Sequence, residues 1–201
     1  MISGLRPETY QNLQLNAGVF LVGFDASSYK NAGELEDAIL DELEEGTNIL
    51  GATIGGGTFT AEPTMRQIEA DGARYAVIGS TVNDMWTIKL STTLKEVTPE
   101  NFKRALVSCD IDTSKPNVKT LTVRTDIKDS DYIPKLSWVG DTSKGFVMIE
   151  LDNALNLSGA SFTFTDKGEG TLPVEFQAHH SELKNMDKAP FRIHFFDRAE
   201  S

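Results

Sequence analysis

Apolar and polar residues alternate along much of the chain, and this pattern predicts a protein built mainly of β-strands. The clearest alternation lies in residues 84–94, where one parity reads Trp86, Ile88, Leu90 and Leu94. A period of two residues puts one row of side chains in a core and the other towards solvent or a neighbouring chain. The same period recurs in four later segments, which are 118–124, 158–165, 172–178 and 191–195. Because turn signals separate these segments, we expect an antiparallel β-sandwich or barrel of about eight to ten strands.

Two further strand-like segments lack a polar row. Residues 15–24 and 146–151 are apolar on both parities, apart from Glu150 in the second segment. Such strands are covered on both faces, by the core on one side and by another element or subunit on the other. They are also candidates for continuing the sheet into a neighbouring copy of the chain. The residues that we assign to this subunit contact are Val19, Leu21, Val147 and Ile149.

A capping pattern and an apolar stripe predict an α-helix at residues 33–45. Asn31 and Glu34 have the spacing of a capping box, and Gly46 is a suitable C-terminal stop. Between them, apolar residues recur at four-residue steps, most other positions are Asp or Glu, and none is Lys or Arg. Acids spaced by four residues repel each other, so contacts outside the segment must hold this helix. It is either a solvated helix over the edge of the core or an inserted element that lies against an adjacent subunit.

A second helix is predicted directly after the strand at residues 84–94. Thr98 can cap its start, Pro99 suits its first turn, and Glu100 lies near the positive end of the helix dipole. This is the flanking helix of the predicted sandwich.

The length of the chain fits one domain with two unusually long connections. At 201 residues the chain is long enough to bury a core of its own, and we assign residues 1–201 to a single domain. Residues 25–52 are predicted to form a helical insertion, and residues 61–80 a long connecting loop. Loops longer than a compact sandwich needs are usually functional.

Charge and composition exclude several classes of protein. The formal net charge is −11, which argues against a protein that grips nucleic acid through clustered Lys and Arg. The longest apolar run, residues 17–24, is less than half a membrane span, and no signal peptide led by basic residues precedes it, so we expect no membrane association. Cys109 is the single cysteine, so neither a disulfide within the chain nor an oxidising compartment is implied. The chain is therefore expected in the cytosol where it is made.

Catalytic patterns are weak, and we predict no catalytic residue, no metal ligand and no cofactor. Glycines 55–57 lack the spacing of a phosphate-binding loop and instead suggest a bulge or a close backbone approach. His179 and His180 are adjacent on a strand end and point to opposite faces, while His180 and Glu182 are only two ligands. Cys109 follows a helix and is more typical of a small buried apolar residue than of a nucleophile.

The order of several motifs resembles the tail tube, or major tail, protein family of long-tailed bacteriophages and related prophage particles. The matching pieces in the central block are residues 59–62, 66–69, Asp71-Gly72, 86–94 and Thr98-Pro99-Glu100-Asn101. A second match comprises residues 174–180 and 189–193. The resemblance implies a fold of the tail tube type and a structural protein of the virion tail, assembled in the cytoplasm of the bacterial host. In such tails, hexameric rings stack head to tail into a tube through which viral DNA passes, and the tube meets tape measure, tail terminator and baseplate or tip proteins.

The resemblance also suggests roles for particular residues. Mixed charges in the long connection are candidates for contacts between stacked rings, namely Arg66, Glu69, Asp71 and Arg74. Polar strand faces in the matching blocks are candidates for the wall of the lumen, namely Thr87, Lys89, Ser91, Thr93, Glu175 and Gln177. The acidic balance of the chain suits a conduit, since a negative wall repels the phosphate backbone, although Lys89 departs from an all-acidic wall.

Two other functions remain compatible with the sequence. One is the tube of a DNA-free contractile particle, such as a phage-tail-like bacteriocin or a secretion apparatus, which the neighbouring genes would distinguish. The other is a monomeric ligand-binding β-sandwich, for example a carbohydrate-binding module, which would usually expose a cluster of aromatic residues. A measurement of mass in solution would separate this monomer from a self-assembling subunit.

Overall fold

A computed structural model describes residues 4, 6–14, 16–72, 74–181 and 186–198 of the chain. In these ranges the α-helices are α1 (Ala32–Glu45) and α2 (Pro99–Leu106). The strands are β1 (Val19–Val22), β2 (Thr53–Gln67), β3 (Thr81–Leu94), β4 (Cys109–Lys115), β5 (Val118–Val123), β6 (Ile133–Thr142), β7 (Gly145–Asn156), β8 (Leu172–Gln177) and β9 (Phe191–Asp197). The expectation of a mainly β, antiparallel protein is confirmed.

The main sheet runs in the order β1-β6-β7-β8-β3-β2, with β9 also paired to β7. Strand β7 joins two layers, because residues 145–154 pair with β6, while Leu155 and Asn156 pair with β8. We call β1, β6, β7 and β9 layer 1, and β2, β3 and β8 layer 2. Strands β4 and β5 form a separate hairpin beside α2.

Two hydrophobic cores lie on the two faces of layer 1. The first core fills the space between the layers, with Phe20 and Leu151 from layer 1 and Leu90 and Phe176 from layer 2. Neighbouring residues along a strand point to opposite faces. The second core accordingly contains the alternate residues of layer 1, among them Leu21, Val139 and Met148. Helix α1 covers them with Leu35 and Ile39.

The prediction that residues 15–24 form a strand covered on both faces is confirmed for β1, while Leu15 lies outside the described residues. Phe20 faces the first core and Leu21 the second, at 1% and 0% exposure. The second cover is α1 of the same chain, so Leu21 is not available to a neighbouring subunit. Val19 is half-buried against the same second core.

Both helices begin at the residues that their capping patterns indicate. The Asn31 side chain accepts a hydrogen bond from the Glu34 backbone N at 3.0 Å, and Gly46 ends α1 with a left-handed φ of 69°. Thr98 Oγ1 accepts from the Asn101 backbone N at 3.2 Å at the start of α2. The acidic helix α1 is thus held by its caps and by the second core rather than by partners within the helix.

Glycines 55–57 form a bulge, as their sequence suggests. The register of β2 against β3 shifts between Ile54 and Gly57, and Gly55 and Gly56 have φ values of 77° and 72°. A Cβ at Gly57 would lie 2.7 Å from Cζ of Phe20, so only glycine allows this approach to the core.

Two sequence predictions are wrong in part. Residues 158–165 are not a strand, since Thr163 makes a single bridge to Thr171 and Phe162 instead packs on the ring of Phe102 at 5.3 Å. Residues 61–67 belong to β2, so the connection between β2 and β3 is limited to 68–80. Pro63 concealed this strand, but a proline is tolerated because β2 is an edge strand.

Strand β7 lies in the middle of its sheet, as predicted, with β6 on one side and β9 on the other. Both its edges are therefore occupied within the chain, and the prediction that residues 146–151 continue the sheet into another copy is wrong. Across the described residues, neither α-helix combines the length and the apolar character needed to cross a lipid bilayer.

Candidate assembly surfaces

Strands β2 and β3 form a ribbon that is longer than the layer beneath it. They pair from Thr53 opposite Leu94 to Gln67 opposite Thr81. At about 3.3 Å per residue, a strand of this length spans about 50 Å. In the near half, Ile88 and Leu90 are buried, whereas residues 64–67 and 83–86 in the far half are all exposed. The far half thus extends beyond layer 1.

The core-facing row of the ribbon continues into this far half. Alternation along β2 puts Pro63 and Met65 on the same side as Phe59, and Pro63 is paired with Trp86. Trp86 is 44% exposed and Met65 61% exposed. The prediction that Trp86 lies in the core is therefore wrong, because layer 1 ends before it.

The four mixed-charge residues of the predicted connection all lie at the far end of the ribbon. Arg66 Nε lies 3.1 Å from Asp84 Oδ2 in an exposed ion pair across the two strands. Glu69, Asp71 and Arg74 are exposed in the loop 68–80, where they line an open concavity. Apolar side chains accompany them in this loop and are also exposed: Ile68, Tyr75, Val77 and Ile78.

The six residues predicted to face a lumen lie on one face of layer 2, directed away from the first core. In the register of β3 and β8, Lys89 is opposite Gln177 and Ser91 is opposite Glu175, and directly opposed residues share a face. Lys89 Nζ lies 2.8 Å from Glu175 Oε1. Strand β2 completes this polar face with Thr58, Thr60 and Glu62.

The polar face is almost neutral. It carries Glu62, Glu175 and Lys89, which sum to a formal charge of −1. The acidic excess of the chain instead concentrates in α1, which contains seven acids and no base. This helix covers the opposite side of layer 1, so the strongest negative charge lies away from the polar face.

Layer 1 also has a core-facing region that layer 2 does not cover. Across β7 and β9, Leu151 pairs with Phe191, Ile149 with Ile193 and Val147 with Phe195. Exposure rises along this row: Leu151 is buried, Ile193 is 44% exposed and Phe195 is 74% exposed. Val147 is half-buried and belongs to neither core, while Ile149 packs against the first core. Val147 is thus the predicted contact residue that borders the exposed patch.

Strand edges differ in how far the chain itself covers them. The outer edge of β1 is bonded to residues 48–50, with Val22 N donating to Asn48 O at 2.7 Å and Leu50 N donating to Phe20 O at 3.0 Å. Among the described residues, β2 has a ladder partner only in β3, and β9 only in β7. Within the described part of the chain, one edge of each of these two strands therefore lacks a strand partner.

A buried ionic cluster fixes β9 to the rest of layer 1. Glu150 is 1% exposed, and its Oε1 lies 2.6 Å from Lys135 Nζ and 2.7 Å from Arg192 Nη1. Its Oε2 accepts a hydrogen bond from the Ala26 backbone N at 2.9 Å. Burial alone would lower the pKa of Lys135, but hydrogen bonds to Asp152 and Glu150 raise it overall. The cluster joins β6, β7 and β9 to the segment that precedes α1.

The histidine and cysteine that the sequence analysis considered as possible metal ligands or nucleophiles make contacts typical of structural residues. His179 Nδ1 lies 3.2 Å from the Asn153 carbonyl oxygen, and its ring packs edge-on against Tyr132. Glu182 lies outside the described residues. Burial raises the pKa of Cys109, so its thiol is protonated at neutral pH and a poor nucleophile. Among the described side chains, no group of three or more His, Cys, Asp and Glu is placed to hold a metal ion.

The sequence did not identify the uncovered apolar rows, although one signal for them was present. Parity alone places Met65, Trp86, Ile193 and Phe195 on core-facing rows, but it does not show where the opposing layer ends.

No protein-family model matches the chain, and no curated protein matches it.

Proposed function

We propose that the chain is a structural subunit that assembles with copies of itself into rings, and that these rings stack into a hollow tube. The observation that supports this proposal best is the β2–β3 ribbon, whose far half carries Met65 and Trp86 exposed on its core-facing row. An isolated two-stranded ribbon is marginally stable in water, and contiguous exposed apolar surface usually marks a contact site. A neighbouring copy would supply the cover that the ribbon lacks.

A stacked tube requires two different contacts on each subunit. One heterologous contact closes a ring, and an axial contact that does not close extends the stack. The free edges of β2 and β9 suit ring closure, since strands of adjacent copies can pair there. The loop 68–80, with Glu69, Asp71 and Arg74, suits contacts between rings.

The polar face of layer 2 is proposed as the wall of the lumen. Its formal charge of −1 per chain gives −6 in a ring of six. A wall with few cations cannot release many counterions from DNA and therefore does not retain it. The tube would then conduct DNA without specific binding, in the virion tail of a long-tailed bacteriophage, where tape measure, terminator and baseplate or tip proteins would meet its ends.

The dependence of assembly on salt is the first test. A ring of six copies brings six times −11, or −66 formal charges, together. This repulsion is screened over about 10 Å at 0.1 M salt, while apolar burial and strand pairing are not weakened. We therefore expect sedimentation to show larger assemblies at moderate than at low salt, and electron microscopy to show rings or tubes. Assemblies that dissolve as salt rises would instead show that ion pairs between subunits dominate. A monomer at every salt and protein concentration would overturn the proposed function.

The lumen assignment predicts a second effect, on DNA passage. Substituting Glu175→Lys and Gln177→Lys together changes the charge of the polar face from −1 to +2. Because the new cations attract phosphate, particles built from this variant should deliver less DNA, while their tubes look normal by electron microscopy.

A matched control adds the same charge elsewhere. Ser28→Lys with Glu45→Lys also raises the formal charge by three, at exposed positions on the α1 side of layer 1. This control should leave delivery unchanged. Unchanged delivery by the Glu175/Gln177 variant would remove the polar face as the lumen wall.

A further inference from the structure

The two layers of the sandwich are offset, and each leaves part of its core-facing side without a cover. In layer 2 the uncovered part is the far half of the β2–β3 ribbon, with Pro63, Met65 and Trp86 on the core-facing row. In layer 1 it is the end of β7 and β9 that carries Val147 and Phe195. The far half of the ribbon lacks a pair of strands from layer 1 above it. The exposed end of β7 and β9 lacks a pair of strands from layer 2.

The uncovered part of layer 1 continues a normal sandwich interior. Phe191, at the covered end of the row, packs on Phe59 of β2 with ring centroids 5.4 Å apart. Two residues further along β9, Ile193 is 44% exposed, and Phe195 is 74% exposed because layer 2 does not reach it. A second layer placed at the usual spacing of about 10 Å would bury these residues as β2 buries Phe191.

The far half of the ribbon has the dimensions and the chemistry of this missing layer. It is two strands wide, as is the β7–β9 pair that it would cover. Its core-facing row offers an indole and a thioether, and aromatic side chains bury about 150–250 Å² each when covered. Within one chain both surfaces stay exposed, so the ribbon does not cover the patch of its own molecule.

We propose that the far half of the ribbon of one copy lies over the uncovered end of β7 and β9 in the next copy, with Met65 and Trp86 against Ile193 and Phe195. The two surfaces are different parts of the chain, so this contact is head to tail and can repeat from copy to copy. The partner is a second copy of this chain, because the patch lacks a strand pair of layer 2 and each copy carries such a pair unused. The inference rests on the proposed self-assembly and specifies one of its contacts.

Disulfide trapping tests the contact directly. Cys109 is fully buried, and replacing it by serine leaves a background without native thiols. In this background, Met65→Cys and Phe195→Cys are prepared as separate single variants and oxidised with oxidised glutathione. Each alone should stay monomeric on a non-reducing gel, whereas an equal mixture should shift to a dimer. The double variant Met65→Cys/Phe195→Cys should give a ladder of higher bands.

The opposite face of the ribbon provides the matched control. Met85 is 59% exposed and pairs with Thr64, so it points away from the core-facing row. A mixture of Met85→Cys with Phe195→Cys should therefore stay monomeric under the same oxidation. If the Cys109→Ser background is less stable, the same pairs can be oxidised with the buried native thiol in place.

The outcomes separate this contact from the function as a whole. A dimer from Phe195→Cys alone would indicate a two-fold contact and overturn the head-to-tail arrangement. Rings or tubes without a disulfide in the Met65/Phe195 mixture would overturn the contact and leave self-assembly standing. The absence of any assembly under all conditions would overturn both.

Discussion

Replacing Glu150 by alanine is expected to lower the free energy of unfolding of the monomer by about 3 kcal/mol. The carboxylate is 1% exposed and binds Lys135 and Arg192 at 2.6 and 2.7 Å. Its removal leaves Arg192 paired with Asp152, leaves Lys135 paired with Asp152 and with Asp25 at 3.9 Å, and leaves the Ala26 N–H without its acceptor. A buried donor without a partner costs about 1–3 kcal/mol, which forms part of this total.

The measurement is urea unfolding of the variant against a control from an exposed ion pair. Glu175→Ala removes the ion-pair partner of Lys89. Both side chains at this site are more than a third exposed, Glu175 at 39% and Lys89 at 34%. Such a pair contributes about 0–1 kcal/mol, so the control should unfold close to the unsubstituted chain. Equal midpoints for the two variants would show that the Glu150 cluster is no more stabilising than a surface contact.

Replacing Leu35 by alanine is expected to destabilise the monomer by about 3–5 kcal/mol. Leu35 is 0% exposed in the second core, where α1 packs on Leu21, Val139 and Met148. The alanine leaves a cavity beneath a helix whose seven acids repel one another. The ion pair of Arg198 with Glu36, at 3.8 Å, is exposed on both sides and contributes about 0–1 kcal/mol, which does not compensate for the cavity.

Leu40→Ala is the matched control, because it makes the same substitution in the same helix at a position that is 53% exposed. The effect of this change should be within about 0.5 kcal/mol. Unfolding followed by circular dichroism measures both variants, and hydrogen exchange of the α1 amides reports whether the helix detaches before the sheets unfold. Similar destabilisation by both substitutions would mean that α1 is not docked through its buried stripe.

Local signals predicted the helices well because a helix carries its own boundaries in sequence. Asn31, Glu34, Gly46 and Thr98 each act on backbone groups a few residues away, and their hydrogen bonds and dihedral angles match their positions. The inward parity of Ile88, Leu90 and Leu94 is confirmed for the same reason, since the strand period is local. These predictions required no knowledge of which strands are neighbours.

Features that depend on residues far away in the sequence were harder to predict from local patterns. Strand β6 escaped the alternation analysis because its residues are apolar on both parities, with Lys135 and Ser137 satisfied by partners far along the chain. The exposure of Trp86 and Phe195 depends on where the opposite layer stops, which neither segment encodes. The six residues predicted to form a polar face do lie together on one face of layer 2. This is because β3 and β8 are neighbouring strands and their polar residues are directly opposite each other.

Pro63 has a consequence for the free edge of β2. A proline has no backbone N–H, and in edge strands it sits where that donor would face solvent. A foreign strand that tried to align along all of β2 would lose a hydrogen bond near the middle of the edge. Continuous pairing of identical chains along the whole of β2, as in an amyloid-like stack, is therefore disfavoured at Pro63.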